Sequence, residues 1–281
     1  MGRGIAALCV GRGFETAIHD ALPAAAEASP AAIAEILARA RARGRMTEEE
    51  EATARRRLAV APSLSAARGA DLVIEAAPES LDLKRALFAE LDGYPEPALL
   101  ATNTSSLSIA KIAAATSNPG RVLGLHFFNP APVMPLVEIV VGPATSPAAA
   151  AAARAFVAAL GKEAILVRDA PGFATSRLGV ALGLEAMRML EEGVASAADI
   201  DRAMEAGYGH AMGPLKTSDL VGLDVRLAIA EALSAELSDA RFEPPAILRA
   251  LVAQGKTGKK AGEGFYRWEG NVPHPARGDR P

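Results

Sequence analysis

The chain has 281 residues, half of them apolar, which is enough for one large core or two smaller ones. A net charge of −3 leaves no basic footprint for nucleic acid, and a single cysteine, Cys9, excludes an internal disulfide and suits a reducing compartment. No uninterrupted apolar stretch is long enough to span a membrane, and the short apolar run after Arg3 meets Gly11, Arg12 and Gly13 without a cleavage pattern, so a soluble cytoplasmic protein is expected.

In chain order, residues 2–10 read as a helix with small residues on one side. Residues 14–19 read as a strand closing on Asp20, and 29–43 as a helix. Thr47 with Glu50 three residues later forms a capping box that starts another helix. Then come a short strand at 57–60, a buried strand at 71–76, a helix at 80–91, a strand at 98–102 and a helix at 108–114. Strands at 122–127 and 136–141, a helix at 147–160 and a strand at 164–167 follow. Strands alternating with helices predict an α/β fold with a mostly parallel, doubly wound sheet. After Asp169 the pattern turns helical, at 173–192, 196–206, 223–238 and 245–254, with no convincing strand. The expected division is a Rossmann-type domain over 1–168 and an all-α domain over 169–281. Its polar tail, 270–281, is expected to be poorly ordered.

Two residues in the middle of the chain carry chemistry. His126 ends one apolar strand and Glu138 interrupts the next. On neighbouring strands they make an acid–base pair able to move a proton near neutral pH. Asn103 to Ser106 follow the apolar strand at 98–102, where the crevice of an open α/β sheet takes its ligands. The same residue types also suit a helix N-cap. Asp20, at the end of the first strand, is placed to accept ribose hydroxyls and to repel a 2′-phosphate, which favours NAD over NADP.

The run GLHFFNPAPVMPLVEIV (124–140) resembles the signature of the 3-hydroxyacyl-CoA dehydrogenases. The segments AAPESLDLK (76–84), ATNTSSLSI (101–109), DAPGFATSRL (169–178), MGPLKTSDLVGLD (212–224) and GKKAGEGFYRW (258–268) match the family in its order. The resemblance implies an NAD-dependent enzyme that interconverts (S)-3-hydroxyacyl-CoA and 3-oxoacyl-CoA. It implies His126 as general base, Glu138 as the carboxylate that polarises it, and Ser105 as hydrogen-bond donor to the reacting oxygen. Glu79 and Lys84 would line the cofactor site, and Asn103 and Asn129 would place nicotinamide and substrate. No metal is expected. The helical domain would form a homodimer and close over the acyl chain. The wording at 129–140 leans towards 3-hydroxybutyryl-CoA, with 3-hydroxyadipyl-CoA also open.

The chain departs from the family twice. Gly2 matches the last glycine of the dinucleotide fingerprint, but the strand and two glycines that precede it in the family are absent. The sheet is therefore expected to be incomplete at its centre. A start placed too late and a protein with weakened NAD binding both account for this. Ser176 stands where the family has a catalytic Asn, with a shorter reach and no amide. The rival readings are a dehydrogenase of a free hydroxy acid, as in the gulonate enzymes, and a non-catalytic binding protein. The run Arg39, Arg41, Arg43, Arg45 either meets the phosphates of CoA or is a solvated helix end.

Overall fold

A computed structural model describes residues 1–94 and 98–275 and divides into two units, Met1–Ala170 and Pro171–Pro281. The first begins with α1 (Gly2–Gly11), β1 (Thr16–Ile18), α2 (Pro23–Ala42), α3 (Glu48–Arg56) and β2 (Leu58–Val60). It continues with β3 (Leu72–Glu75), α4 (Leu81–Asp92), β4 (Leu99–Thr102), α5 (Ile109–Ala113), β5 (Val122–Phe127), β6 (Leu136–Val141), α6 (Pro147–Ala159) and β7 (Glu163–Arg168). The apolar runs of β4 and β5 are buried throughout, as strands covered by helices on both faces must be.

The strands form two sheets. β1 and β2 pair in parallel, and a second sheet has the order β3-β4-β5-β6-β7, parallel except for the antiparallel pair β5 and β6. Among the described residues β1 and β3 share no ladder, so each keeps an open edge. The Rossmann-like unit is thus split where the expected central strand would lie.

α1 lies between the two cores. Ile5, Leu8 and Cys9 pack with Leu123, Leu125 and Ile139 of the larger sheet, while Ala6, Ala7 and Val10 pack with Ile33, Leu37 and Ala54 of α2 and α3. A helix apolar on all sides has to be buried on all sides, and Ile5 to Val10 are. Burial pushes the Cys9 thiol up to about 12, which removes it as a nucleophile.

α2 starts six residues earlier than its pattern predicts and holds Pro30 inside it. Pro23 begins the helix at a position where a missing N–H costs no ladder bond. Near Pro30 the Ala25 carbonyl accepts from Ser29 Oγ at 2.7 Å and from the Arg3 guanidinium at 2.9 Å. The capping box forms as predicted: Glu50 N–H donates to Thr47 Oγ1 at 3.1 Å and Thr47 N–H to the Glu50 carboxylate at 2.6 Å. Thr47→Ala is expected to cost about 1 kcal/mol, read as a lower urea midpoint at unchanged slope.

The second unit contains α7 (Thr175–Glu191), α8 (Ala197–Tyr208), α9 (Pro214–Val221), α10 (Leu223–Leu237) and α11 (Ala246–Ala253). It corrects the all-α expectation, because β8 (Tyr266–Glu269) and β9 (Val272–Pro275) form an antiparallel hairpin. Residues 270–275 therefore belong to ordered structure, and 276–281 lie outside the described residues. α9 was not predicted either. Both elements are held by buried carboxylates far away in sequence. Asp219 accepts from the N–H groups of Phe265 and Tyr266 and from Trp268 Nε1, each at 2.9 Å. Asp201 accepts from the N–H of Leu215 at 2.7 Å and of Lys216 at 3.0 Å, capping α9 from α8, and from the Tyr266 hydroxyl at 2.8 Å. Burial raises both carboxyl pKa values despite these donors. No helix of the described residues is long and apolar enough to cross a membrane.

Candidate active site

β5 and β6 run antiparallel in a register that sets His126 directly opposite Glu138. Side chains opposed across such a pair share a face of the sheet. His126 Nδ1 and Glu138 Oε2 are 2.6 Å apart, and Glu138 is fully buried. A buried carboxylate needs a partner, and here the imidazole is one. A carboxylate at Nδ1 draws the ring proton to that nitrogen and makes Nε2 the basic one. The His126 ring also packs against Phe128, with centroids 4.6 Å apart.

The turn after β4 is organised by Glu79. Its Oε1 accepts from Thr104 Oγ1 at 2.6 Å, from the N–H of Ser105 at 3.0 Å and from Ser105 Oγ, Ser106 N–H and Ser106 Oγ at 3.2 Å. Burial pulls this carboxyl up, but the Thr104 hydroxyl, the Lys84 charge and the Ser105 N–H outweigh it and hold it below its usual range. Ser105 is thus held at a carboxyl end of the sheet, half-buried. Ser108, not Ser106, caps α5, and it also donates to Asp169 at 2.8 Å. Asn103 ties the two strands together: its Oδ1 accepts from the N–H of Phe127, beside His126, at 2.9 Å.

Lys84 sits lower than a residue that lines a surface. It is 1% exposed, with Nζ at 2.8 and 3.0 Å from the Glu75 carboxylate, 3.1 Å from the Ala77 carbonyl and 3.6 Å from Glu79. Any effect on a ligand passes through Glu79. Glu75, which sequence reasoning missed, also accepts from Thr102 Oγ1 at 2.7 Å and from the Ala77 N–H at 2.5 Å. The available signal was a carboxylate ending the apolar run of β3, nine residues before a lysine.

α1 points its N-terminus at the ends of these strands. A Cβ added at Gly2 would lie 3.7 Å from Ala76, just past β3, and one at Gly4 would lie 3.5 Å from Ala131. No side chain caps α1. Asp20 follows β1, is exposed, and accepts from the Leu22 N–H at 2.9 Å, so it is a turn former as well as a free-facing carboxylate. Asn129 is exposed and precedes a cis peptide bond to Pro130. In the arginine run, Arg39 pairs with Glu35 at 3.2 Å and Arg41 with Glu51 at 2.6 Å, which favours the helix-end reading for these two. Ser176 lies in the first turn of α7, in the second unit, after a turn with left-handed φ at Gly172 (+71°) and Phe173 (+48°).

Residues 1–170 match the NAD binding domain of 3-hydroxyacyl-CoA dehydrogenase, and residues 172–268 match its C-terminal domain. The chain belongs to the 3-hydroxyacyl-CoA dehydrogenase family. It is 42% identical over 270 residues to a probable 3-hydroxybutyryl-CoA dehydrogenase of Bacillus subtilis, covering 96% of this chain and 94% of that one. It is 42% identical over 273 residues to a 3-hydroxyadipyl-CoA dehydrogenase of Escherichia coli, covering 95% of this chain and 57% of that one. The crystal structure of (S)-3-hydroxybutyryl-CoA dehydrogenase from Ralstonia eutropha superposes with a TM-score of 0.92 at 40% identity, covering 96% of this chain and 95% of that one.

The cofactor of this family's first domain is NAD, and the residues present fit it. The N-terminus of α1 has no side-chain cap, and the side chains nearest Gly2 and Gly4 are those of Ala76, Ala131 and Pro132, so the first N–H groups suit an anion such as a pyrophosphate. Asp20 offers an exposed carboxylate just past β1, with the acceptor chemistry that ribose hydroxyls call for.

Proposed function

We propose that the chain oxidises (S)-3-hydroxyacyl-CoA to 3-oxoacyl-CoA with NAD, acting in the cytoplasm as a homodimer. The observation that carries this reading is the His126–Glu138 pair at 2.6 Å on facing strands. In it, His126 Nε2 accepts the proton of the substrate hydroxyl, and Glu138 stabilises the imidazolium that results. Ser105 is held through its N–H to Glu79, and its hydroxyl turns from Glu79 to donate to the reacting oxygen. Gly2 at the start of α1 faces the pyrophosphate and Asp20 the ribose. Glu79, backed by Lys84, and Asn103 and Asn129 line the nicotinamide end. When bound, NAD supplies the hydride acceptor.

Relatives named for 3-hydroxybutyryl-CoA make short acyl groups the first choice of substrate. The test is NADH oxidation with acetoacetyl-CoA, which is expected to turn over. Turnover of free acetoacetate with none of the thioester would replace this reading with a free hydroxy acid enzyme. NADH binding without turnover of either would leave a binding protein.

Ser176, in the first turn of α7, is proposed to donate to the substrate where the family has an amide. Ser176→Asn is expected to raise kcat/KM roughly fivefold, the worth of about one hydrogen bond. An unchanged kcat/KM would remove Ser176 from the substrate. The dimer is supported by apolar side chains that the second unit leaves open: Leu178 is 71% exposed and Leu220 is 50% exposed, with Val221 and Val225 beside it in sequence. Light scattering at the mass of one 28.9 kDa chain would rule it out. The cytoplasmic assignment rests on the lone, buried Cys9, and recovery of the protein outside the cytoplasm on cell fractionation would overturn it.

A further inference from the structure

Arg226 on α10 is a buried cation whose counter-ion is not in its own unit. It is 5% exposed, its Nε has no hydrogen-bond partner, and the guanidinium makes no hydrogen bond or ion pair with the described residues. Burial alone moves its pKa, down to about 10, with no carboxylate near enough to oppose the change. Asp224, two residues earlier, is engaged with Lys260 at 2.6 Å. A guanidinium this deep stays charged at neutral pH, and a buried charge without a counter-ion is unfavourable. Arg226 also lies one turn into α10, where the helix dipole opposes a cation and favours an anion.

The surroundings leave room for one. A Cβ added at Gly179 would lie 3.5 Å from Arg226 Nη1 and within 4 Å of no other atom outside Gly179's own stretch of α7. A methyl-sized open space thus faces a charged donor. One turn further along α7, a Cβ at Gly183 would lie 3.8 Å from Arg226 Nε but 3.0 Å from Ser218 Oγ. Gly183 and Ser218 are buried and close that end, while Gly179 is only half-buried, so the space is reached past Gly179. Both glycines sit inside α7, where glycine is the least favourable residue after proline. The Ser218 hydroxyl donates to the Pro214 carbonyl at 2.8 Å, so its proton is spent elsewhere and the guanidinium is the donor at this place.

We propose that the space beside Gly179 binds a small monovalent anion of chloride size as the counter-ion of Arg226. Nη1 donates to the ion, and the missing side chain of Gly179 gives it its place. Size sets the selectivity: a single-atom halide fits a methyl-sized space, and a tetrahedral sulfate does not. An ion held by the folded chain alone stabilises it by mass action. Gly179, Gly183, Ser218 and Arg226 all belong to the second unit, so the site is independent of the dehydrogenase reading.

The experiment reads chloride binding by chlorine-NMR line broadening, and compares Tm in sodium chloride with Tm in sodium gluconate at equal ionic strength, without substrate or cofactor. The wild type is expected to broaden the chloride line, to lose that broadening to bromide but not to sulfate, and to melt roughly 2 to 5 °C higher in chloride. Arg226→Met is expected to lose both effects because the cation is gone. Gly179→Ala is expected to lose both because its methyl group takes the place of the ion. That methyl group meets Nη1 at ordinary contact distance and improves helix propensity, so the Tm of Gly179→Ala in gluconate is expected to equal or exceed that of the wild type.

No broadening, with equal wild-type Tm values in the two salts, would leave the guanidinium to water and overturn the proposal. Chloride effects that survive in both variants would put the ion elsewhere and overturn it as well. Effects lost in Arg226→Met but kept in Gly179→Ala would overturn the placement beside Gly179. Should Arg226→Met fail to fold, the wild type and Gly179→Ala decide.

Discussion

His126→Ala is expected to lower the turnover of acetoacetyl-CoA with NADH by roughly 10²- to 10⁴-fold, the range that a positioned general acid–base contributes. In this direction the imidazolium gives its proton to the oxygen that becomes the hydroxyl. The variant lacks that proton, while the groups that hold CoA and cofactor remain, so the loss falls on kcat and not on KM. Glu138→Gln separates the partner's role from the base's. It keeps the volume of a fully buried side chain and removes the charge that stabilises the imidazolium. Its turnover is expected to lie between those of wild type and His126→Ala. If His126→Ala retains more than about a tenth of wild-type turnover, a base elsewhere does the work.

Lys84→Met is expected to destabilise the first unit by about 3 kcal/mol, because it leaves the Glu75 carboxylate buried without its cation. The methionine matches the alkyl stem, so packing changes little. Thr102 Oγ1 and the Ala77 N–H still donate to Glu75, which keeps the loss near the lower end of the range for a broken buried pair. Urea unfolding reads the effect, and the double variant Lys84→Met/Glu75→Gln should recover most of it, since both charges are then gone. A loss below about 1 kcal/mol in the single variant would mean that water reaches Glu75 in solution. Activity should also fall in Lys84→Met, because Glu79 loses the charge behind it and Glu79 holds the turn that carries Ser105.

The parts of the fold that could be read from sequence were those with local causes. The capping box at Thr47 and Glu50 depends on residues three apart. The pairing of His126 with Glu138 follows from two apolar runs that are consecutive in the chain, joined by residues 128–135. The elements that escaped depend on partners far along the chain. α9 has its first turn satisfied by Asp201, fourteen residues before Leu215. The β8–β9 hairpin hangs from Asp219, forty-six residues before Phe265. In α2, the predicted helix begins at Ser29, but the helix starts at Pro23 and runs through Pro30. Within the site, His126 sits near the end of one predicted strand, Glu138 inside the next and Ser105 just past a third, so their placement came with the fold. Glu75 was hidden because a carboxylate closing an apolar strand looks like a chain turning to solvent, and only the fold shows Lys84 beneath it.

α1 touches both cores of the first unit, and the two sheets share no ladder. α1, ten residues with small or medium side chains, therefore joins the two cores. In native-state hydrogen exchange such an arrangement is expected to give two protected regions with separate opening free energies, coupled through α1. A ligand anchored at the N-terminus of α1 and at Asp20 would join these regions, so that slower exchange in β1 and β2 reports cofactor binding at a distance from the reacting carbon.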